Sequence, residues 1–501
     1  MKFHTVLNRV AIAALVLVAG PTFAQSFRVQ CPGINGTSKY TNLHPDPTTA
    51  VIPSGSSYAA TYPGQIKCQE IAGGDGYATM ADGTQTYLFG FGPLSGRALI
   101  DQGKPGTQSA ADFLDSAGNA ANAASIEPAL IMNNGVLSAQ EPAPLMAIDE
   151  DDEYFLTLSN VGMIMRPDLF EQHTVHFHGY PNASSFFDGV PDASVAINIA
   201  GSFTYYYTAP DAGTYFWHCH ITPPEHLQMG MVGQLYVRPR QNRVSGDLGS
   251  ALLGSNKKAA VDSTATGVGC SDILCTGQTL LPAAADKTTG ATLVNGGGQY
   301  AYNDGDGSTR YDVEYPIQLM GFDPNFHYIG MTFNPEAFSD MKDKYFMISG
   351  RGYPDTISPA NIQTLDSDGA TRTSQPMSST ITIKQGQRAL LRISDLNVTE
   401  FHTLATVGIP MTVIADNARL LRDFQGNNLY YQTNSVTLGG GESTDVILDT
   451  CTQRTADYAA CAANTAMIPA GTYYLYTTNL DHLSNDAENF GGMMTEIVVQ
   501  L

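Results

Sequence analysis

Residues 213–231 read GTYFWHCHITPPEHLQMGM, and this stretch decides how the rest of the chain is interpreted. Its opening run is aromatic and β-branched, which suits a strand. Pro223 and Pro224 then break the run and open a loop. On a strand, alternate side chains face opposite ways. His218 and His220 therefore share one face, and Cys219 takes the other. A second stretch, HTVHFHG at 173–179, repeats the device. His176 and His178 share a face, and His173 is offset by an odd number from both. Two such strands side by side present four imidazoles on one face, and one imidazole and one thiolate on the other.

The same strand grammar extends outward. TQTYLFGF, APLMAIDEDDEYFLTLSNV, SVAINIAGSFTYYYTA and GQLYVRP surround the two histidine stretches. Downstream come TRYDVEYPIQLMGF, SSTITIKQGQRALLRIS, NSVTLGGGESTDVILD, GTYYLYTTN and MMTEIVVQ. Each is short and bounded by turn residues, and no amphipathic helix of twelve or more residues stands out. The expected fold is all-β, two Greek-key sandwich or barrel domains at 77–238 and 310–501. Residues 25–76 read as an N-terminal extension, and 239–309 as a long linker without periodicity.

Composition narrows the partners. The 501 residues are 43% hydrophobic and 14% charged, a globular balance rather than a disordered one. Asp and Glu outnumber Lys and Arg by 47 to 25, a net charge of −22. So acidic a surface repels phosphate backbones and anionic lipid, which excludes nucleic acid as the expected partner. Lys2 and Arg9, the apolar run Val10–Gly20, and the small residues Thr22 and Ala24 read as an export signal cleaved after residue 24. No later run is long and apolar enough to span a bilayer. A periplasmic or secreted location follows. There disulfides persist, and three pairs lie close in sequence: Cys31 with Cys68, Cys270 with Cys275, and Cys451 with Cys461. The seventh cysteine, Cys219, is left over, and an unpaired thiol in an oxidising compartment has a chemical reason to stay so.

Six of the 11 histidines fall between 173 and 226, where an even spread would put about one. His226 follows Cys219 by seven residues and Met231 follows His226 by five. Two histidines, one cysteine and a weakly held methionine make a blue-copper electron-transfer site. Met229 is the alternative axial donor, and zinc is the alternative metal for a Cys/His set.

These residues resemble the multicopper oxidase family of cupredoxin-fold proteins. HTVHFHG resembles the family's H-x-x-H-x-H segment, and HCHITPPEHLQMGM resembles its HCH…H…GM segment. The resemblance implies that His173, Cys219, His226 and Met231 hold type 1 copper. It implies that His176, His178, His218 and His220 serve the type 2 and type 3 coppers. FMISGRGYPDT, FHTLATVGIPMTVIADN and LGGGESTDVIL resemble the family's non-copper domain. The final loop, TTNLDHLSNDAENFGGMM, resembles a copper loop without its cysteine, so the second domain should hold no type 1 copper.

The resemblance implies an oxidoreductase. Type 1 copper takes electrons from a small-molecule or metal-ion donor and passes them through Cys219 to a second centre that reduces O2. A full trinuclear cluster takes eight histidines, and this chain offers two pairs. The remaining ligands are expected from another subunit, with His482 or His402 as candidates, in a homo-oligomer, most simply a trimer. A copper nitrite reductase-like enzyme and a periplasmic copper electron carrier are the alternatives. Asp188, in the D-G turn of FFDGVPD, is read as a proton-supplying acid near the cluster, against a plain turn role.

Overall fold

The computed structural model describes residues 29, 31, 65–110, 112–113, 128–150, 152–180, 184–209, 211–243, 246–247, 294–295, 299–304, 307–332, 337–423, 427–455 and 458–501. The expected export signal, most of the extension and linker, and the Cys270 and Cys275 pair lie outside these residues.

The first half is a sandwich of two mixed sheets. Its strands are β1 (Ile66–Thr79), β2 (Gln85–Pro93), β3 (Met146–Asp149), β4 (Glu153–Gly162), β5 (His176–His178), β6 (Ser202–Thr208), β7 (Gly213–His218) and β8 (Val232–Arg238). One sheet runs β2–β1–β4–β6 and the other β3–β8–β7–β5. Their inner faces bury Phe91, Tyr154, Leu156, Phe177, Tyr205 and Trp217 in one cluster. Trp217 is fully buried, with its ring 4.9 Å from that of Phe91. Removing an aromatic of this size costs about 3–5 kcal/mol.

Strand β1 begins at Ile66, inside the stretch expected to be an extension. Its sequence, IKCQEIAGGDGYAT, hides it because the middle is buried on both faces and so does not alternate. Gly90 and Gly92 of β2 have no room for a side chain, since a Cβ there would strike Ala139 and Ser138.

The second half repeats the plan. Its main strands are β9 (Val313–Phe322), β10 (Tyr345–Ile348), β11 (Ile381–Lys384), β12 (Arg388–Asp395), β13 (His402–Thr406), β14 (Met411–Asp416), β15 (Ser435–Leu438), β16 (Glu442–Asp449), β17 (Gly471–Thr477) and β18 (Met494–Gln500). They form the sheets β10–β9–β12–β16–β14 and β11–β18–β17–β13–β15. Ile317, Leu391, Leu404, Val446, Leu475 and Ile497 lie in the core between them. In each half two parallel pairs tie the N-terminal strands to the sheets: β1 to β4 and β3 to β8, then β9 to β12 and β11 to β18. The longest described helix has eight residues, Pro128–Gly135. No described helix is long and apolar enough to cross a membrane.

The halves share a third cluster in which Phe216, Leu227 and Val232 meet Met320, Phe322 and Met347. Beside it lies a buried charge network. Glu314 accepts from Arg392 at 2.8 Å and from Arg238 at 2.6 Å, and Thr214 donates to Asp445 at 2.5 Å. The Arg392 side chain is wholly buried, so each charge there depends on its partner. Cys31 is bonded to Cys68 and Cys451 to Cys461, and Cys219 is free and buried.

Candidate metal centres

Strand pairing assembles the histidines. β5 and β7 run antiparallel, with His176 opposite His218 and His178 opposite Phe216. The ring of His176 lies 5.9 Å from that of His178, 5.2 Å from His218 and 5.1 Å from His220. The ligand nitrogens of His176, His178 and His218 all fall within 4.8 Å of one another. The ring contacts of His220 set it at the edge of the same group.

Second partners fix the ring orientations. His176 Nδ1 donates to the Asp188 carbonyl at 2.7 Å, and His218 Nδ1 donates to the Cys219 carbonyl at 2.7 Å. Each ring is thereby left with Nε2 as a free donor, the tautomer a metal ligand needs. His178 Nδ1 is buried without a hydrogen-bond partner. Burial lowers the pKa of His176 and His178, and takes that of His218 down to about 3, so the imidazoles stay neutral. The Asp188 carboxylate sits 3.6 Å from His176 Nδ1. Gly189 follows it at φ +78°, where a Cβ would strike the Val175 carbonyl, so the turn requires glycine there. Asp188 thus sits in the turn and touches the cluster.

The other face of β7 carries the second group. The ligand atoms of His173, Cys219 and His226 lie within 4.8 Å of one another, and all three residues are buried. His226 Nδ1 is 3.2 Å from the Cys219 sulfur and His173 Nδ1 is 4.0 Å from it. The Thr174 amide donates to the sulfur at 3.5 Å. Burial would push the Cys219 thiol up, yet His226 and His173 pull it well below the usual thiol range. Met231 and Met229 are both fully buried next to this group. The backbone of Met231 is bonded to it: the Cys219 amide donates to the Met231 carbonyl at 3.2 Å and the Met231 amide to the His226 carbonyl at 2.8 Å.

The loop holding His226 is a short helix, Pro223–Gln228, where the two prolines had suggested a stiffened loop. Gln228 bolts it to the second half. Its side chain donates to Asp343 at 3.0 Å and accepts from the Asp323 amide at 2.8 Å. His327 is buried between the carbonyls of Gln228 and Tyr87, at 2.8 and 2.5 Å, and joins neither metal group. Gly441 of the second half packs on His178, where a Cβ would come within 3.6 Å of the ring.

Two residues escaped the sequence reading. Glu171 approaches His226 Nε2 at 3.6 Å with its side chain partly exposed, and its place two residues before His173 was the available signal. Gln228 had no signal in the sequence, since its partners lie about a hundred residues away. His402 and His482 are not brought to the histidine face. They lie together inside the second half, with rings 5.4 Å apart and almost no exposure. His482 stacks on Phe346 and bonds Glu400 at 2.8 Å. A buried ring with these partners is poorly placed to reach a neighbouring subunit, so that expectation does not fit its position.

The donor set suits copper. A thiolate, two imidazoles and a thioether on one side, and three imidazoles on the other, are soft and borderline ligands of the kind that metal takes. Comparisons agree on the family. One sequence model of the multicopper oxidases matches residues 123–242, and another matches 276–480. Multicopper oxidase MCE of Talaromyces pinophilus is 34% identical over 119 residues, 23% of this chain and 18% of that protein. Laccase abr2 of Aspergillus fumigatus is 32% identical over 111 residues, 22% of this chain and 17% of that protein. The chain therefore spans under a fifth of the curated relatives it matches. The crystal structure of Blue Copper Oxidase from Nitrosomonas europaea covers 87% of this chain and 86% of its own, with 18% identity and a TM-score of 0.50, which speaks for a shared all-β, two-domain cupredoxin fold. The chain belongs to the multicopper oxidase family.

Proposed function

We propose that the chain is an exported copper-dependent oxidoreductase in which a type 1 copper held by His173, Cys219, His226 and Met231 takes electrons from a reducing substrate, and a second copper centre on His176, His178, His218 and His220 reduces O2. One observation carries this reading. The two ligand groups lie back to back, and Cys219 belongs to one while its neighbour His218 belongs to the other. The path between them is covalent, and the 2.7 Å hydrogen bond from His218 to the Cys219 carbonyl gives it a second branch. A plain electron carrier needs only the first group, so four imidazoles behind it favour catalysis.

The chain's own groups have definite tasks. Thr174, His173 and His226 stabilise the Cys219 thiolate. Glu171, beside His226 Nε2, offers a carboxylate to a donor molecule that loses a proton with its electron. Asp188, touching His176, is the proton supply for the reduction on the other side. The core shields the Cys219 group, which keeps side reactions with water down there.

One observation favours a second reading. The three imidazoles within 4.8 Å suffice for a single type 2 copper, the arrangement of a nitrite reductase-like enzyme. The half-buried histidine face also suits an interface in a cyclic homo-oligomer, with a trimer as the simplest form. Mass in solution checks that. Consumption of O2 against consumption of nitrite, with one reductant and the same copper-loaded protein, separates the readings. O2 uptake that fails in Cys219→Ser supports the oxidase, and nitrite loss without O2 uptake overturns it.

A further inference from the structure

A row of aromatic rings leads away from the Cys219 group toward the surface. TYLFGF at 86–91 puts Tyr87 and Phe89 on one face of β2. The Phe89 ring stands edge-on to His226 at 5.8 Å, and the Tyr87 ring edge-on to Phe89 at 5.7 Å. Tyr77 of β1 lies opposite Tyr87 in register, with its ring 5.6 Å further out. Phe89 and Tyr87 are buried, and Tyr77 is half-buried. The Tyr77 hydroxyl donates to Met331 Sδ at 3.8 Å, and the exposed Ser367 sits beside it. Ser367 in turn donates to Met165 Sδ at 2.9 Å.

Tyr87 has a base of its own inside the core. Its hydroxyl donates to Asp75 Oδ2 at 2.9 Å, and the Met165 amide donates to the same oxygen at 2.8 Å. Asp75 is fully buried and shares a face of β1 with Tyr77. Burial first, and then the Asp75 charge, pushes the Tyr87 phenol well above the usual range, so at rest it keeps its proton. Burial also raises the Asp75 carboxyl, which makes it the better proton acceptor. A phenol gives up an electron far more readily when a base takes its proton in the same step. Phenylalanine has no such proton, so Phe89 can only bridge. Packing explains apolar rings in a core, but it does not call for a phenol and a carboxylate buried there as a pair.

We propose that Tyr77 and Tyr87 form a second electron entry to the type 1 copper, used by donors that release an electron without a proton. This rests on the type 1 reading of the Cys219 group given above. Tyr87 passes one electron through Phe89 and His226, which takes Cu(II) to Cu(I), and its hydroxyl proton moves to Asp75. An electron from the donor, arriving through Tyr77, restores Tyr87, and the proton returns from Asp75. The donor has then lost one electron and the copper has gained one. Donors that shed a proton keep the route at Glu171.

The test uses the copper-loaded full chain with a ruthenium(II) polypyridyl photo-reductant attached at Ser367→Cys, or at Phe170→Cys next to Glu171 as the control. Both positions are exposed. After a flash, bleaching of the blue band is timed. From position 367, Tyr87→Phe and Asp75→Asn should each slow the bleaching several-fold. From position 170 neither should change it. The resting blue band and the reduction potential should stay the same in both variants, which shows that the copper pocket is intact. Equal rates from position 367 with and without Tyr87, or the same slowing from position 170, overturn the proposal. A wild type without a blue band overturns the type 1 reading itself, and the second entry with it.

Discussion

At the closing loop of the first sandwich Cys219 stands between His218 and His220, and at the same place in the second Thr477 stands between Tyr476 and Thr478. The strands, the register and the loop hydrogen bonds agree between the halves. His176 and His178 have Ala405 and Val407 as counterparts. The sandwich is thus a neutral frame. Five side chains differ between the two frames at this place, and the proposed electron path rests on them.

Making the first half resemble the second should have the largest effect. Cys219→Thr should abolish the blue band and bring turnover down to the rate without enzyme, while circular dichroism stays unchanged. Any residual blue colour would break the equivalence of the two loops.

Core substitutions should hit both halves about equally. Trp217→Ala should cost about 3–5 kcal/mol, and its positional counterpart Leu475→Ala about 2–5 kcal/mol, read by denaturant unfolding. Arg392→Ala removes the buried cation between Glu314 and Asp445, leaving Glu314 with Arg238 and Asp445 with Thr214, and should cost about 3–5 kcal/mol. If it splits one unfolding transition into two, the junction is what makes the halves unfold together.

Smaller effects should stay on the copper side. Met231→Leu should keep the blue colour and raise the reduction potential, because a weak donor to Cu(II) is lost. Loss of all copper would make Met231 more than a weak axial ligand. Asp188→Asn should keep both coppers and lower turnover a few-fold, most strongly at high pH where protons are scarce. An unchanged pH profile would leave Asp188 only its turn.

The sequence showed most of this where chemistry leaves a short-range trace. HTVHFH and WHCH gave the two faces because strand alternation is local, and His226 followed from loop spacing. What stayed hidden depends on distant partners or on burial from both sides. β1 begins at Ile66 in a glycine-rich run with no alternation. The lock of Gln228 on Asp343 and Asp323 joins residues that only the folded junction brings together. His402 and His482 looked like spare ligands because nothing in the sequence says that they face each other.

The central claim is that two copper centres lie back to back across Cys219. Copper analysis of the wild type and of His178→Gln, together with optical and EPR spectra of both, tests it most directly. The account predicts blue copper plus at least one further copper per chain in the wild type. The variant should lose the further copper and its O2 uptake and keep the blue band. A wild type with blue copper alone, unaltered by His178→Gln, would contradict it.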